Sequence, residues 1–128
     1  MQPYERFTVW QKAHELALRT HALSNALMKG SHGHLVAQLR RAATSIPLNI
    51  VEGSARGTSA QFAHFLDLAL GSARETAYLV RLLADMGVLE SAARARLEAR
   101  CDVVCRMLVS LKQTLKKPTK TAKTAKAG

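Results

Sequence analysis

The segment from Gln38 to Gly53, read as Gln-Leu-Arg-Arg-Ala-Ala-Thr-Ser-Ile-Pro-Leu-Asn-Ile-Val-Glu-Gly, limits the folds open to this chain more than any other stretch. Leu35, Val36, Leu39, Ala42, Ala43, Ile46 and Ile50 recur at steps of three and four, so on a helix they share one face that needs a core to lie against. Gln38, Arg41, Ser45, Asn49 and Glu52 follow beside them as a polar ribbon on the border of that face. Border positions are partly buried, and their polar groups then require partners. Pro47 sits inside the run; its missing amide and its push against the carbonyl of Ala43 predict a kink or short break, with Thr44 and Ser45 hydroxyls serving the freed carbonyls. Gly53 lies on the apolar side, where the absent side chain lets another backbone come close.

Three further amphipathic runs follow the same period. A first helix starts near Thr8, with Val9, Trp10, Ala13, Leu16, Ala17, Leu23 and Leu27 inward, and ends before the loop Gly30 to His34. Trp10 reads as a core anchor near one end of the bundle. The second helix runs from about Gly33 to Ala55. The third is capped by Thr58 or Ser59 and continues to Met86 before Gly87, about 28 residues or roughly 42 Å. Its main stripe is Phe62, Phe65, Leu66, Ala69, Ala73, Ala77, Val80, Leu83 and Ala84, and small residues near Gly71 and Ser72 favour close helix approach. A second line, Leu68, Leu79, Leu82 and Met86, is more apolar surface than one bundle interior absorbs, and predicts an oligomer interface. Ser91 opens a fourth helix with Ala93, Leu97, Cys101, Val104, Cys105, Leu108, Leu111 and Leu115 inward. Abundant Ala and Leu with only 5% aromatic residues fit this helical pattern, and no strand pattern competes. The reading is an all-α, antiparallel up-down-up-down four-helix bundle over residues 1–115, kinked at Pro47, followed by a disordered basic tail over 116–128.

The formal charge of +10 points to an anionic partner, RNA or DNA first among them. Five of the basic residues, Lys116, Lys117, Lys120, Lys123 and Lys126, stand in a tail without acids, leaving 14 basic against 9 acidic residues in the body. A flexible polycation binds nucleic acid by releasing counterions, with little regard for sequence. The outer face of the fourth helix adds Arg94, Arg96, Arg100, Arg106 and Lys112, partly answered by Glu98 and Asp102. Arg40 points outward and is a further nucleic-acid candidate. Arg41 falls on the polar ribbon instead, where Glu52, or Glu75 of the third helix, is the expected partner. Gln38, Arg41, Ser45, Asn49, Glu52 and Glu75 therefore form a structural polar network in this reading, which fixes helix register or a subunit contact.

No nucleophile and base stand in a recognisable arrangement, so an enzyme built on Glu52 and Glu75 is the minority reading. The five histidines, at 14, 21, 32, 34 and 64, have no metal-ligand spacing, and no cofactor motif occurs. Cys101 and Cys105, one turn apart on a helix, suit reduced core thiols in a cytoplasmic protein better than a disulfide. No signal-peptide layout or membrane-spanning run is present. The competing non-enzymatic role is a protein-interaction scaffold whose charge only keeps it soluble.

Val9-Trp10-Gln11-Lys12-Ala13, Gln38-Leu39-Arg40-Arg41-Ala42-Ala43, Ser45-Ile46-Pro47 with Asn49-Ile50, Glu52-Gly53, and Phe62 to Ala69 followed by Gly71-Ser72-Ala73 and Glu75 resemble the four-helix-bundle family of 23S ribosomal RNA intervening-sequence proteins. The resemblance covers roughly residues 7 to 115. It implies a small cytoplasmic bundle that assembles as a homopentamer without established enzymatic activity. Related bundles are accessory proteins to reverse transcriptases in diversity-generating retroelements, which implies a reverse transcriptase or other protein as a further partner. The loop Gly30 to His34 departs from the more acidic, proline-bearing connection usual in the family.

Overall fold

A computed structural model describes residues 3–116. Helix α1 spans Thr8–Ser24, α2 Gly33–Ser54, α3 Ser59–Asp85 and α4 Ser91–Lys116, with 3₁₀ turns at Pro3–Arg6 and Asn25–Lys29. Among the described residues there is no strand. Each helix packs on its neighbours in sequence and α4 closes back on α1, the square arrangement of an up-down-up-down four-helix bundle. Lys116 belongs to α4, so the helix passes the boundary expected at 115. Lys117, Lys120, Lys123 and Lys126, assigned to the tail, lie outside the described residues.

Leu16, Val36, Leu39, Ile46, Ile50, Leu66, Val80, Leu83, Leu97, Val104 and Leu108 are fully buried and draw on all four helices. Burying side chains of this size stabilises by about 1.5–3 kcal/mol each, which is why the three- and four-residue periods decide the fold. Thr20, Ser24 and Thr76 are the buried polar side chains, and each hydroxyl returns a hydrogen bond to a carbonyl four residues earlier: Leu16, Thr20 and Ser72 respectively. No water or distant partner is needed to satisfy them.

The helix ends follow local chemistry. Thr58 is extended, and its hydroxyl accepts from the amide of Gln61 at 3.1 Å, a cap for α3. Beyond Asp85 the chain turns at Gly87, whose φ of +78° favours a residue without a Cβ. α1 is shorter than its apolar pattern predicts: α-helical hydrogen bonding gives way to a 3₁₀ turn from Asn25, although Leu27 still packs on the core. α2 continues through Pro47 as one helix, without the alternative of a break. The two hydroxyls before the proline do not serve the Ala43 carbonyl; Thr44 donates to the carbonyl of Arg40 and Ser45 accepts from Asn49 and Ser72.

α2 approaches α3 closely at Gly53. A Cβ there would lie 2.7 Å from the Cβ of Phe65 and 2.8 Å from Cδ1 of Phe62. Gly71, by contrast, is exposed, and a Cβ there would meet nothing within 4 Å, so it does not bring helices together within the chain. Gly53→Ala should therefore lower the stability by about 1–3 kcal/mol through overpacking, read as a lower midpoint in thermal or urea unfolding. An unchanged midpoint would contradict the close approach.

Candidate nucleic-acid interface

The polar ribbon of α2 divides into parts with different surroundings. Its half-buried centre is Ser45 and Asn49. Asn49 Nδ2 donates to the Ser45 carbonyl at 2.8 Å and to Ser45 Oγ at 3.0 Å, and Ser72 Oγ of α3 donates to Ser45 Oγ at 2.9 Å. This small network ties α2 to α3 and includes Ser72, a residue expected to favour close helix approach and not counted in the polar network. The ends of the ribbon are exposed. Gln38 Nε2 reaches Glu75 Oε1 at 3.2 Å, and Glu52 faces Arg56 at 4.0 Å. Arg41 is exposed and makes no ion pair with Glu52 or Glu75, so its expected structural pairing is not present in the chain. Glu52 and Glu75, engaged by different residues on the surface, do not form a buried acid pair.

Arg40, expected to point outward toward a nucleic acid, instead has a structural role at the end of α1. Its Nε donates to Ser24 Oγ at 3.0 Å, and its terminal nitrogen donates to the His21 carbonyl at 2.9 Å and to Asn25 Oδ1 at 3.4 Å. A cation is thereby held at the C-terminal end of α1, where unpaired carbonyls carry partial negative charge. It locks the point at which α1 gives way to the 3₁₀ turn, with its Nε and one terminal nitrogen already engaged there. Beside it His21 Nε2 and Thr44 Oγ1 stand 3.0 Å apart, a second polar link from α1 to α2.

The basic face of α4 is likewise turned largely to internal use. Arg94 pairs with Glu98 at 3.0 Å and with Asp85 of α3 at 3.4 Å. Arg100 pairs with Glu15 of α1 at 2.9 Å, Arg106 with Asp102 at 2.9 Å, and Lys112 with Asp67 of α3. Three of these cations stitch α4 to its neighbours; Arg106 pairs within the helix. Arg96 and Lys116 are exposed and have no ion pair among the described residues. Arg100 lowers the Glu15 carboxyl below its usual range, with smaller help from Lys12 and Arg19, because opposite charges favour its ionised form.

The second apolar line of α3 is also divided. Leu79 is 3% exposed and belongs to the chain's own core, which removes it from an oligomer interface. The buried arc of α3 is wider than one stripe and takes in Thr76 as well. Leu68 and Met86 are exposed at 44% and 41%, Leu82 is half-buried, and Tyr78, which the apolar pattern did not select, is 62% exposed. A separate apolar cleft of about 310 Å³ lies between α1 and α2, with Trp10, Leu18, Pro47, Leu48 and Val51 in its wall. Trp10 stacks on His14 there at 4.8 Å, half-buried at the bundle surface.

Cys101 and Cys105 are both free thiols. Burial pushes Cys101 up to about 12 and raises Cys105 as well, so neither offers a reactive thiolate near neutral pH. Among the described residues no three His, Cys, Asp or Glu groups stand together as a metal site, and no helix is long and apolar enough to cross a membrane.

The fold and this surface define a four-helix bundle with a polar α2–α3 seam and an arginine-rich α4. The chain belongs to the family of 23S rRNA-intervening sequence proteins, whose model matches residues 5–110. A crystal structure of a protein of unknown function from the S23 ribosomal protein family of Bacteroides thetaiotaomicron is similar, with a TM-score of 0.73 and 26% identity, covering 82% of this chain and 95% of that one. No curated protein matches the sequence.

Arg40→Ala should cost about 1–2 kcal/mol, since charge-assisted hydrogen bonds at the end of α1 are lost, whereas Arg41→Ala should leave the stability of the chain nearly unchanged. Unfolding midpoints of the two variants check the assignment; equal losses, or a larger loss at Arg41, would reverse it.

Proposed function

We propose that this protein is a non-enzymatic, self-assembling bundle that binds RNA or DNA through charge, with little sequence preference. The observation that carries the reading is where the charge is left over. The chain has 19 Lys and Arg against 9 Asp and Glu, and Arg94, Arg100, Arg106 and Lys112 already have carboxylate partners. Cations outside every ion pair of the described residues include Lys12, Lys29, Arg41, Arg74, Arg96 and Lys116, and Lys117, Lys120, Lys123 and Lys126 follow in a stretch without any acidic residue. Such a distribution suits a phosphate backbone, which is read by position and charge. The apolar cleft between α1 and α2 favours a second reading, a scaffold that docks another protein, such as the reverse transcriptase that the family resemblance implies.

Self-assembly rests on Leu68, Tyr78, Leu82 and Met86, which fall on one line along α3 and remain partly or largely exposed in the single chain. The family resemblance implies five copies.

Anisotropy titrations with a labelled single-stranded RNA should show affinity falling linearly with salt on logarithmic axes. Deleting residues 117–128 removes four lysines and should flatten the slope by up to about 3. Absence of binding at low salt would end the nucleic-acid reading and leave the scaffold. For assembly, light scattering should give a mass above the 14.0 kDa of one chain, and Leu68→Glu with Met86→Glu should reduce it at unchanged helicity. A parent protein that scatters as a single chain contradicts the assembly.

A further inference from the structure

Two clefts open side by side between α1 and α4, and they share an arginine. The larger, about 320 Å³, is lined by Arg19, Ala22, Leu23, Arg96, Leu97 and Arg100; the smaller, about 170 Å³, by Lys12, Ala99, Arg100 and Val103. Glu15 of α1 sits with them: its Oε1 takes Arg100 at 2.9 Å and Arg19 at 3.5 Å. Lys12 is near enough to stabilise the same carboxylate. Three cations thus share one carboxylate, and Arg96 adds its charge with no ion pair among the described residues.

We propose that this α1–α4 seam is a phosphate-binding site in which Arg19, Arg96 and Arg100 grip one phosphate group, Glu15 positions two of them, and Lys12 carries the seam toward a second phosphate. The proposal deepens the charge-based reading and rests on it. A guanidinium has five N–H donors, and a single carboxylate oxygen engages one nitrogen of Arg19 and one of Arg100, leaving donors on both for another anion. Holding the two forks on a shared oxygen removes part of the ordering cost that a phosphate would otherwise meet. Ala22, Leu23 and Leu97 wall the larger cleft with apolar surface, where charge-assisted bonds gain strength. A lone carboxylate ligand would leave most of the surplus unanswered, whereas phosphate brings more charge and more acceptors. From Arg96 to Val103 the clefts run along α4 for about 10 Å, a row that suits successive groups of one strand.

The ligand chemistry is a phosphate group, supplied either by the end or by the interior of a strand. The test uses the full chain labelled with ¹⁵N at arginine, titrated with pyrophosphate and then with one RNA oligonucleotide bearing a 5′-phosphate or a 5′-hydroxyl. Saturable shifts of the Arg96 and Arg100 Nε–H signals by pyrophosphate are expected in the parent, and the affinity read from the Arg100 signal should fall roughly tenfold in the double variant Arg19→Gln with Arg96→Gln. Preference for the 5′-phosphate assigns the site to strand ends, and equal binding assigns it to internal phosphodiesters. If RNA binds the parent and the double variant alike and these signals do not move, the seam proposal is overturned while the charge-based function stands. If RNA does not bind at low salt, the function itself is overturned, whatever pyrophosphate does. The double variant keeps the Glu15–Arg100 pair, and circular dichroism verifies its fold.

Discussion

The close contact of α2 with α3 is the constraint on which the rest of the bundle depends. Gly53 admits the side chains of Phe62 and Phe65 to the α2 backbone, and two turns away Ser45 and Ser72 are within 2.9 Å across the same interface. An apolar contact that requires a glycine and a polar contact that requires two small hydroxyl residues fix the register at two points. With that register set, Ile46, Ile50, Leu66, Ala69 and Ala73 meet in the core, and α1 and α4 close on the remaining sides. Pro47 is tolerated because it lies between those points in a buried helix whose other contacts hold the turn in place.

Charge is distributed by the same geometry. Carboxylates of α1 and α3 face α4 and hold three of its cations at the helix junctions, where each pair is only partly exposed and screened less than a free surface pair. Asp67, Asp85 and Glu15 are engaged between helices, while Arg96 at the α1–α4 seam and Lys116 at the end of α4 are left without an ion pair among the described residues. Structure and charge are therefore linked, because the pairs that join the helices decide which arginines are left to meet an anion.

Much of the fold was legible in the residues themselves. Three- and four-residue periods located four helices; Thr58 and Gly87 marked the ends of α3; and Gly53 announced the close approach. The exchange of roles between Arg40 and Arg41 was not legible. Adjacent helical residues point about 100° apart, and the pattern gives their angle from the core but not which neighbouring helix stands on each side. Arg40 faces α1, whose end offers Ser24, His21 and Asn25, while Arg41 faces out of the chain. Leu79 was misplaced for a related reason: α3 buries an arc broader than one stripe, so a residue off the main line still reaches the core. Long cations on α4 read as an open basic face because their partners lie far away in sequence, Asp67 and Glu15 among them. Thr20 and Ser24, by contrast, continue the inward period of α1, and that signal was present.

Native-state amide hydrogen exchange tests the primacy of the α2–α3 pair most directly. Amides from Ala42 to Gly53 and from Leu66 to Val80 should exchange slowest, close to the free energy of global unfolding, with α1 opening more readily along its cationic junction with α4. Slowest exchange in α1, with α2 around Gly53 opening first, would contradict the account.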